Sequence, residues 1–118
     1  MAWTVIHHQT FDPEFEAMSH AVRLELLAMT GLMERLGPAL GRPHADTLAG
    51  SRHANMKELR FTADNGVWRV AFAFDPKRRA IVLVAGDKAG VAQKRFYKAL
   101  IAKADARFTE HIEALKGK

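Results

Sequence analysis

The sequence predicts an α+β fold, with helices packed on one side of an antiparallel sheet, and three observations predict it. The stretch Met56–Lys88 holds three short runs of alternating or continuous apolar residues joined by two tight-turn signals. Apolar stripes at helical spacing flank it, one over residues 20–36 and one over residues 92–116. Trp3–His7 is a β-branched and aromatic run that opens the chain as a further strand. The implied order is β-α-α-β-β-β-α within one domain, residues 1–118, because a chain of this length buries one core and not two.

Taken in order, the first strand ends in His7 and His8, which as neighbours point to opposite faces. The other histidines, His20, His44, His53 and His111, lack ligand spacing, so neither a metal site nor a cofactor is expected. Asp12-Pro13-Glu14 starts a helix, with Asp as cap, Pro at the first position and Glu near the positive end of the dipole. Ser19 caps a longer helix from about His20 to Leu36, whose stripe of Val22, Leu26, Met29 and Met33 is broadened by Leu27 and Leu32. Gly37-Pro38 stops it, since Pro lacks an amide proton and Gly accepts left-handed geometry. Gly37–Asn55 is then a long connection in which Arg42, His44, Arg52 and His53 form a basic flap.

Within the meander, Asn65-Gly66 supplies the positive φ angles of a hairpin, and Asp75-Pro76-Lys77 carries the next turn. The near-continuous apolar run Ala80–Ala85 reads as an inner strand. Ala92–Lys116 is one long helix, apolar at Phe96, Leu100, Ile101, Phe108, Ile112 and Leu115, with Lys94, Arg95, Lys98, Lys103 and Arg107 on its other faces.

Strand side chains alternate between faces. Leu59, Phe61, Trp68, Val70, Phe72 and Phe74 therefore form one bulky face, while Glu58, Arg60 and Arg69 share the other with Ala71, Ala73 and Asp75. With the bulky face on helices, the second is a shallow polar concavity with an alanine floor. Glu58, Arg60, Arg69 and Lys88 are the candidate site residues on and beside it. Lys57, Lys77, Arg78, Arg79, Lys94 and Arg95 are the candidate nucleic-acid contacts. The bland alternatives are structural pairing of Glu58 with either Arg, a solvated turn at residues 77–79, and a strand-end role for Lys57. Tyr97, beside Phe96 and near Leu100, is expected to pack.

Composition sets the outer bounds. No cysteine is present, which excludes disulfides and thiolate metal sites and suits a reducing cytoplasm. No apolar run approaches the roughly 18 residues of a membrane span, and the first ten residues lack the pattern of an export signal. Residues 1–50 hold three basic and six acidic side chains, whereas residues 51–118 hold fifteen and seven, so the positive charge belongs to the meander and the last helix. That asymmetry suits a polyanionic partner.

The ordered set Gly37-Pro38, Leu48 with Gly50-Ser51, Glu58-Leu59-Arg60, Trp68-Arg69-Val70 and Phe74-Asp75, followed by a basic C-terminal helix, resembles the RelE/ParE superfamily of toxins. It is most similar to the phage-derived, HigB-like branch of type II toxin-antitoxin systems, over about Val5 to Ile112. The resemblance implies a RelE-like fold and a cytoplasmic toxin that acts as a ribosome-dependent mRNA endonuclease, without metal, and inhibits translation. Cleavage of RNA by its own 2′-hydroxyl needs a base, cations on the crowded phosphate and an acid for the leaving oxygen. Under that implication Glu58 is the candidate catalytic base, Arg60 and Arg69 the phosphate ligands and Lys88 a further catalytic cation. The resemblance also implies a cognate antitoxin, often a helix-turn-helix protein, through which alone operator DNA would be reached. The competing expectations are a ParE-like toxin that poisons gyrase and a catalytically weak homologue that only binds its antitoxin. Many ribonucleolytic members carry a Tyr or His near the end of the last strand or of the chain. Here Gly86-Asp87-Lys88 and Leu115-Lys116-Gly117-Lys118 stand at those places.

Overall fold

A computed structural model describes residues 2–117. Five strands, β1 (Thr4–His7), β2 (Ala45–Thr47), β3 (Lys57–Ala63), β4 (Gly66–Phe74) and β5 (Arg79–Asp87), form one sheet in the order β1-β5-β4-β3-β2. Helices α1 (Phe11–Glu16), α2 (His20–Leu36) and α3 (Gln93–Lys116) complete the α+β layout. The antiparallel meander is as expected, but the sheet is mixed, because β1 runs parallel to β5 with Val5 opposite Ala80. The chain leaves β1 through two helices, rejoins the sheet at its far edge and folds back strand by strand, so β5 arrives beside β1 in the same direction. β2 lies inside the expected long connection and pairs with β3, Ala45 opposite Leu59, which satisfies backbone groups that would otherwise be buried without partners.

Helix α2 follows its sequence signals closely. Ser19 Oγ accepts from Val22 N at 3.3 Å, and Val22, Leu26, Met29 and Met33 are buried. Leu27 instead faces solvent, 51% exposed. The helix ends at Gly37, whose φ of +54° and approach to the Trp3 indole leave no room for a side chain. Helix α1 starts two residues earlier than expected, with Thr10 at the N-cap position but no side-chain capping bond, and Asp12 bonds His7 Nδ1 at 2.9 Å. The β3–β4 hairpin turns on Asp64 and Asn65, both at positive φ, and so one residue before Asn65-Gly66. Gly66 opens β4, where an added Cβ would lie 2.6 Å from Trp68 Nε1 and 2.8 Å from Asp87 Oδ2.

The expectation of helices on one side describes α1 and α2, which bury Phe11, Phe15, Leu26 and Met33 against Leu59, Phe61, Val70, Phe72 and Val82. Helix α3 covers the opposite face, setting Phe96, Leu100, Ala104 and Phe108 on Ala71, Ala73, Ile81 and Leu83. The small alanines read from sequence as the floor of a concavity let this helix approach closely. Each large side chain so buried stabilises by roughly 1.5–3 kcal/mol. A β-bulge near Ala71 and Phe72, which pair with Val84 and Val82, turns both Leu83 and Val84 toward α3. Gly86 follows on that face, where the Phe96 ring takes the space of its missing side chain.

Candidate functional site

The polar residues of the α3 face survive as a site where the helix does not cover them. Arg60 on β3 stands directly opposite Arg69 on β4, and like charges so placed repel. Glu58, two residues before Arg60, resolves the conflict. Its Oε2 accepts from Arg60 Nη2 at 3.4 Å, and its Oε1 lies 3.7 Å from Arg69 Nε. A carboxylate only 4% exposed is tolerable there because it is paired and hydrogen-bonded.

The fourth member comes from the first turns of α3. Tyr97 Oη donates to Glu58 Oε1 at 2.8 Å and accepts from Arg69 Nε at 3.2 Å, linking helix to sheet. Burial first, and then the hydrogen bond to Glu58, push the phenol pKa above its ordinary value, so the hydroxyl keeps its proton at neutrality. Sequence reasoning placed Tyr97 in packing. The ring does rest against Phe96, at a centroid distance of 5.2 Å, but its oxygen belongs to the polar cluster. One helical position on from the buried Phe96, Tyr97 turns its oxygen toward Glu58 and Arg69 rather than into the core.

These groups form the base of a cleft of about 810 Å³. Lys88, Lys94 and Lys98 stand around it, and Leu48, Ala49 and Ile101 give it an apolar wall. Five cationic side chains thus surround one carboxylate. Lys88 is held toward α3 by Gln93 Oε1 at 3.4 Å. Arg60 Nε is buried without a hydrogen-bond partner. The flap wall is pinned to α3: Asp105 accepts from Ser51 Oγ and from Arg52 N, and His53 Nε2 meets Thr109 Oγ1 at 3.0 Å.

Glu58, Arg60, Arg69, Lys88 and Lys94 are therefore brought together, and the remaining candidates are not. Lys57 lies by strand alternation with Leu59 and Phe61, toward α2. Arg78 sits over the Trp3 ring at 4.8 Å, and Arg79 donates through Nε and Nη2 to Asp75 Oδ2 at 3.0 and 2.8 Å. With Lys77, these two belong to the β4–β5 turn at the opposite end of the sheet strands from Arg69. Arg95 lines a separate cleft with Val84, Val91 and Lys103. Among the described residues, no three His, Asp or Glu side chains cluster to hold a metal.

Residues 13–109 match the family described as Phage derived protein Gp49-like (DUF891). The chain is 48% identical over 88 residues to the candidate toxin HigB2 of Mycobacterium tuberculosis, a match covering 74% of this chain and 43% of that protein. It is 46% identical over 99 residues to the candidate toxin HigB3 of the same organism, covering 80% and 84%. The match thus spans less than half of HigB2 but most of HigB3. A double arginine-to-alanine variant of the E. coli toxin RelE in the free state superposes with a TM-score of 0.61 over 87% of this chain and 97% of that one, at 13% identity, which shows a shared RelE-like fold.

Proposed function

The chain belongs to the phage-derived Gp49-like family, and from that premise together with the cationic cleft we propose that it is the toxin of a toxin–antitoxin pair and an endoribonuclease acting on messenger RNA. The observation that carries the reading is the four-residue cluster at the cleft base, in which two guanidiniums, one carboxylate and one neutral phenol converge on a space open to a single strand of RNA.

The proposed chemistry follows from the contacts. Arg60 and Arg69 hold the scissile phosphate through their guanidinium groups. The 2′-hydroxyl gives its proton to Tyr97 Oη as the Tyr97 proton passes to Glu58 Oε1, and the freed oxygen attacks phosphorus. The 5′-oxygen leaves with a proton taken from solvent water, Glu58 later returning its own to solvent, and a 2′,3′-cyclic phosphate remains. Lys88 and Lys94 add positive charge over the developing dianion. The apolar wall at Leu48, Ala49 and Ile101 suits a base splayed from the strand. HigB2 and HigB3 are named as candidate toxins, which supports the toxin reading and with it a cognate antitoxin. In this reading the chain acts in the cytoplasm on ribosome-positioned transcripts, and the antitoxin, a helix-turn-helix protein, alone contacts operator DNA.

Brief induction, with translation followed and transcript 5′ ends mapped, tests this for the wild type and for Arg69→Ala. Codon-spaced cuts that vanish in the variant are expected. Arrested growth with intact mRNA overturns the nuclease and turns attention to gyrase, with DNA damage as the readout.

A further inference from the structure

Asp105 is a buried carboxylate that the proposed chemistry does not use. It is 7% exposed, lies more than two turns beyond Tyr97 on α3, and is outside the lining of the cleft. Every hydrogen bond and ion pair it makes among the described residues goes to Ser51 or Arg52 of the flap. It accepts from Ser51 Oγ and, at 3.1 Å, from Arg52 N, with Arg52 Nε at 3.8 Å. Ser51 Oγ in turn accepts from His53 N at 3.0 Å. Lys98, Ile101, Asp105 and Thr109 recur at helical spacing, so one stripe of α3 carries a cleft cation, the apolar wall and both pins of the flap. Ile101 meets the flap turn itself: at Gly50, whose φ is +97°, an added Cβ would sit 3.4 Å from Ile101 Cδ1. Leu48 N donates to Met56 O at 3.0 Å and closes the loop at its base. Burying a carboxylate is costly, and an apolar contact would hold a loop to a helix as firmly; what a carboxylate with two fixed donors adds is direction.

We propose that Asp105 and Ser51 are positioning residues for base selection: by fixing the flap turn to α3 they set Leu48 and Ala49 beside Ile101 as a rigid wall, and the space so defined decides which base is accepted next to the scissile phosphate. A loose flap would re-pack around any base and bind without selecting. A fixed one leaves a misfitting base without its contacts or drives it into the wall, and the penalty reaches the cleavage step because the base and the phosphate belong to one nucleotide. Neither residue touches the RNA; both act through Leu48 and Ala49. The inference rests on the endoribonuclease reading and deepens it at the same cleft.

The test is single-turnover cleavage by the full chain of messages presented on ribosomes, identical except at the nucleotide on one or the other side of the cut. The wild type should distinguish its best from its worst base at one of these positions by at least about tenfold. Ser51→Ala removes one donor, and Asp105→Asn replaces one acceptor oxygen by a nitrogen that cannot accept. Both should bring the ratio to within about twofold, with the loss in half-saturation rather than in the limiting rate on the favoured message. Ser51→Thr keeps the hydroxyl and should keep the selection. Amide hydrogen exchange of the wild type needs no variant and covers the case in which one fails to fold: the amides of Arg52 and His53 should exchange slowly. Exchange at the rate of an open loop overturns the inference. So does a wild type indifferent to the base at both positions, or a uniform loss of rate in the two variants with selection retained, which marks a merely structural pin. In each of these cases the nuclease stands. No cleavage by the wild type overturns the nuclease and this inference with it.

Discussion

At the residue scale the site depends on one hydroxyl. Tyr97 Oη is the atom through which Glu58 meets Arg69 at hydrogen-bond distance, since their direct separation is 3.7 Å. Tyr97→Phe should therefore lower the cleavage rate by roughly a hundredfold if the hydroxyl carries the proton, with little change in KM, as single-turnover cleavage of a defined RNA would report. Glu58→Gln keeps shape and loses charge, so it should fail in the same step while letting the two arginines repel; unchanged kcat in both variants would remove the proton relay. The alternation that put Glu58, Arg60 and Arg69 on one face was legible because period-two patterning ignores the rest of the fold. Tyr97 was not legible in the same way, for its position depends on how deeply Phe96 sinks over Gly86, a tertiary fact that no local pattern carries.

At the scale of elements, α2 and the meander could be read because each is locally consistent, from the Ser19 cap to the Gly37 stop. β2 could not, since three residues hold their form only by pairing with β3. Gly37→Ala forces a Cβ to 2.1 Å from Trp3 Nε1 at a positive φ, and a loss of at least about 2 kcal/mol is expected in urea unfolding. The β4–β5 turn is organised by Asp75, whose Oδ1 accepts from Lys77 N and Arg79 N and whose Oδ2 accepts from the Arg79 guanidinium and meets His111 of α3. Burial raises its pKa, but the bonds from His111 and Arg79 outweigh that and leave it below the ordinary range. A depressed folded pKa means the stabilisation is complete above the unfolded value of about 3.9 and is lost as pH falls through the folded one. Melting midpoints measured from neutrality downward should thus fall on that acid limb, and Asp75→Asn should start lower and flatten it. A variant with the wild-type acid slope would show that other carboxylates set it.

For the whole molecule, the charge asymmetry of the sequence becomes a matter of place. The excess cations of residues 51–118 divide among the cleft, the β4–β5 turn and the outer face of α3, and sequence gave no means to tell these apart because sheet order decides which end of a strand lies near which helix. Salt dependence can separate them. Each phosphate neutralised on a single strand contributes about −0.7 to the slope of log K against log salt, so five cleft cations acting together predict a slope of about −3.5. Measured on a short, cleavage-resistant RNA lacking the attacking hydroxyl, Lys88→Ala with Lys94→Ala should reduce that slope by about 1.4, whereas Lys77→Ala, at the far turn, should leave it unchanged. The reverse ranking would move the RNA to the turn, and with it would go the argument that Arg60, Arg69 and Tyr97 meet the scissile phosphate. Agreement would tie the polyanion to the one cleft where a carboxylate and a phenol stand ready beside the guanidiniums, which is the link between binding and cleavage that the fold alone does not supply.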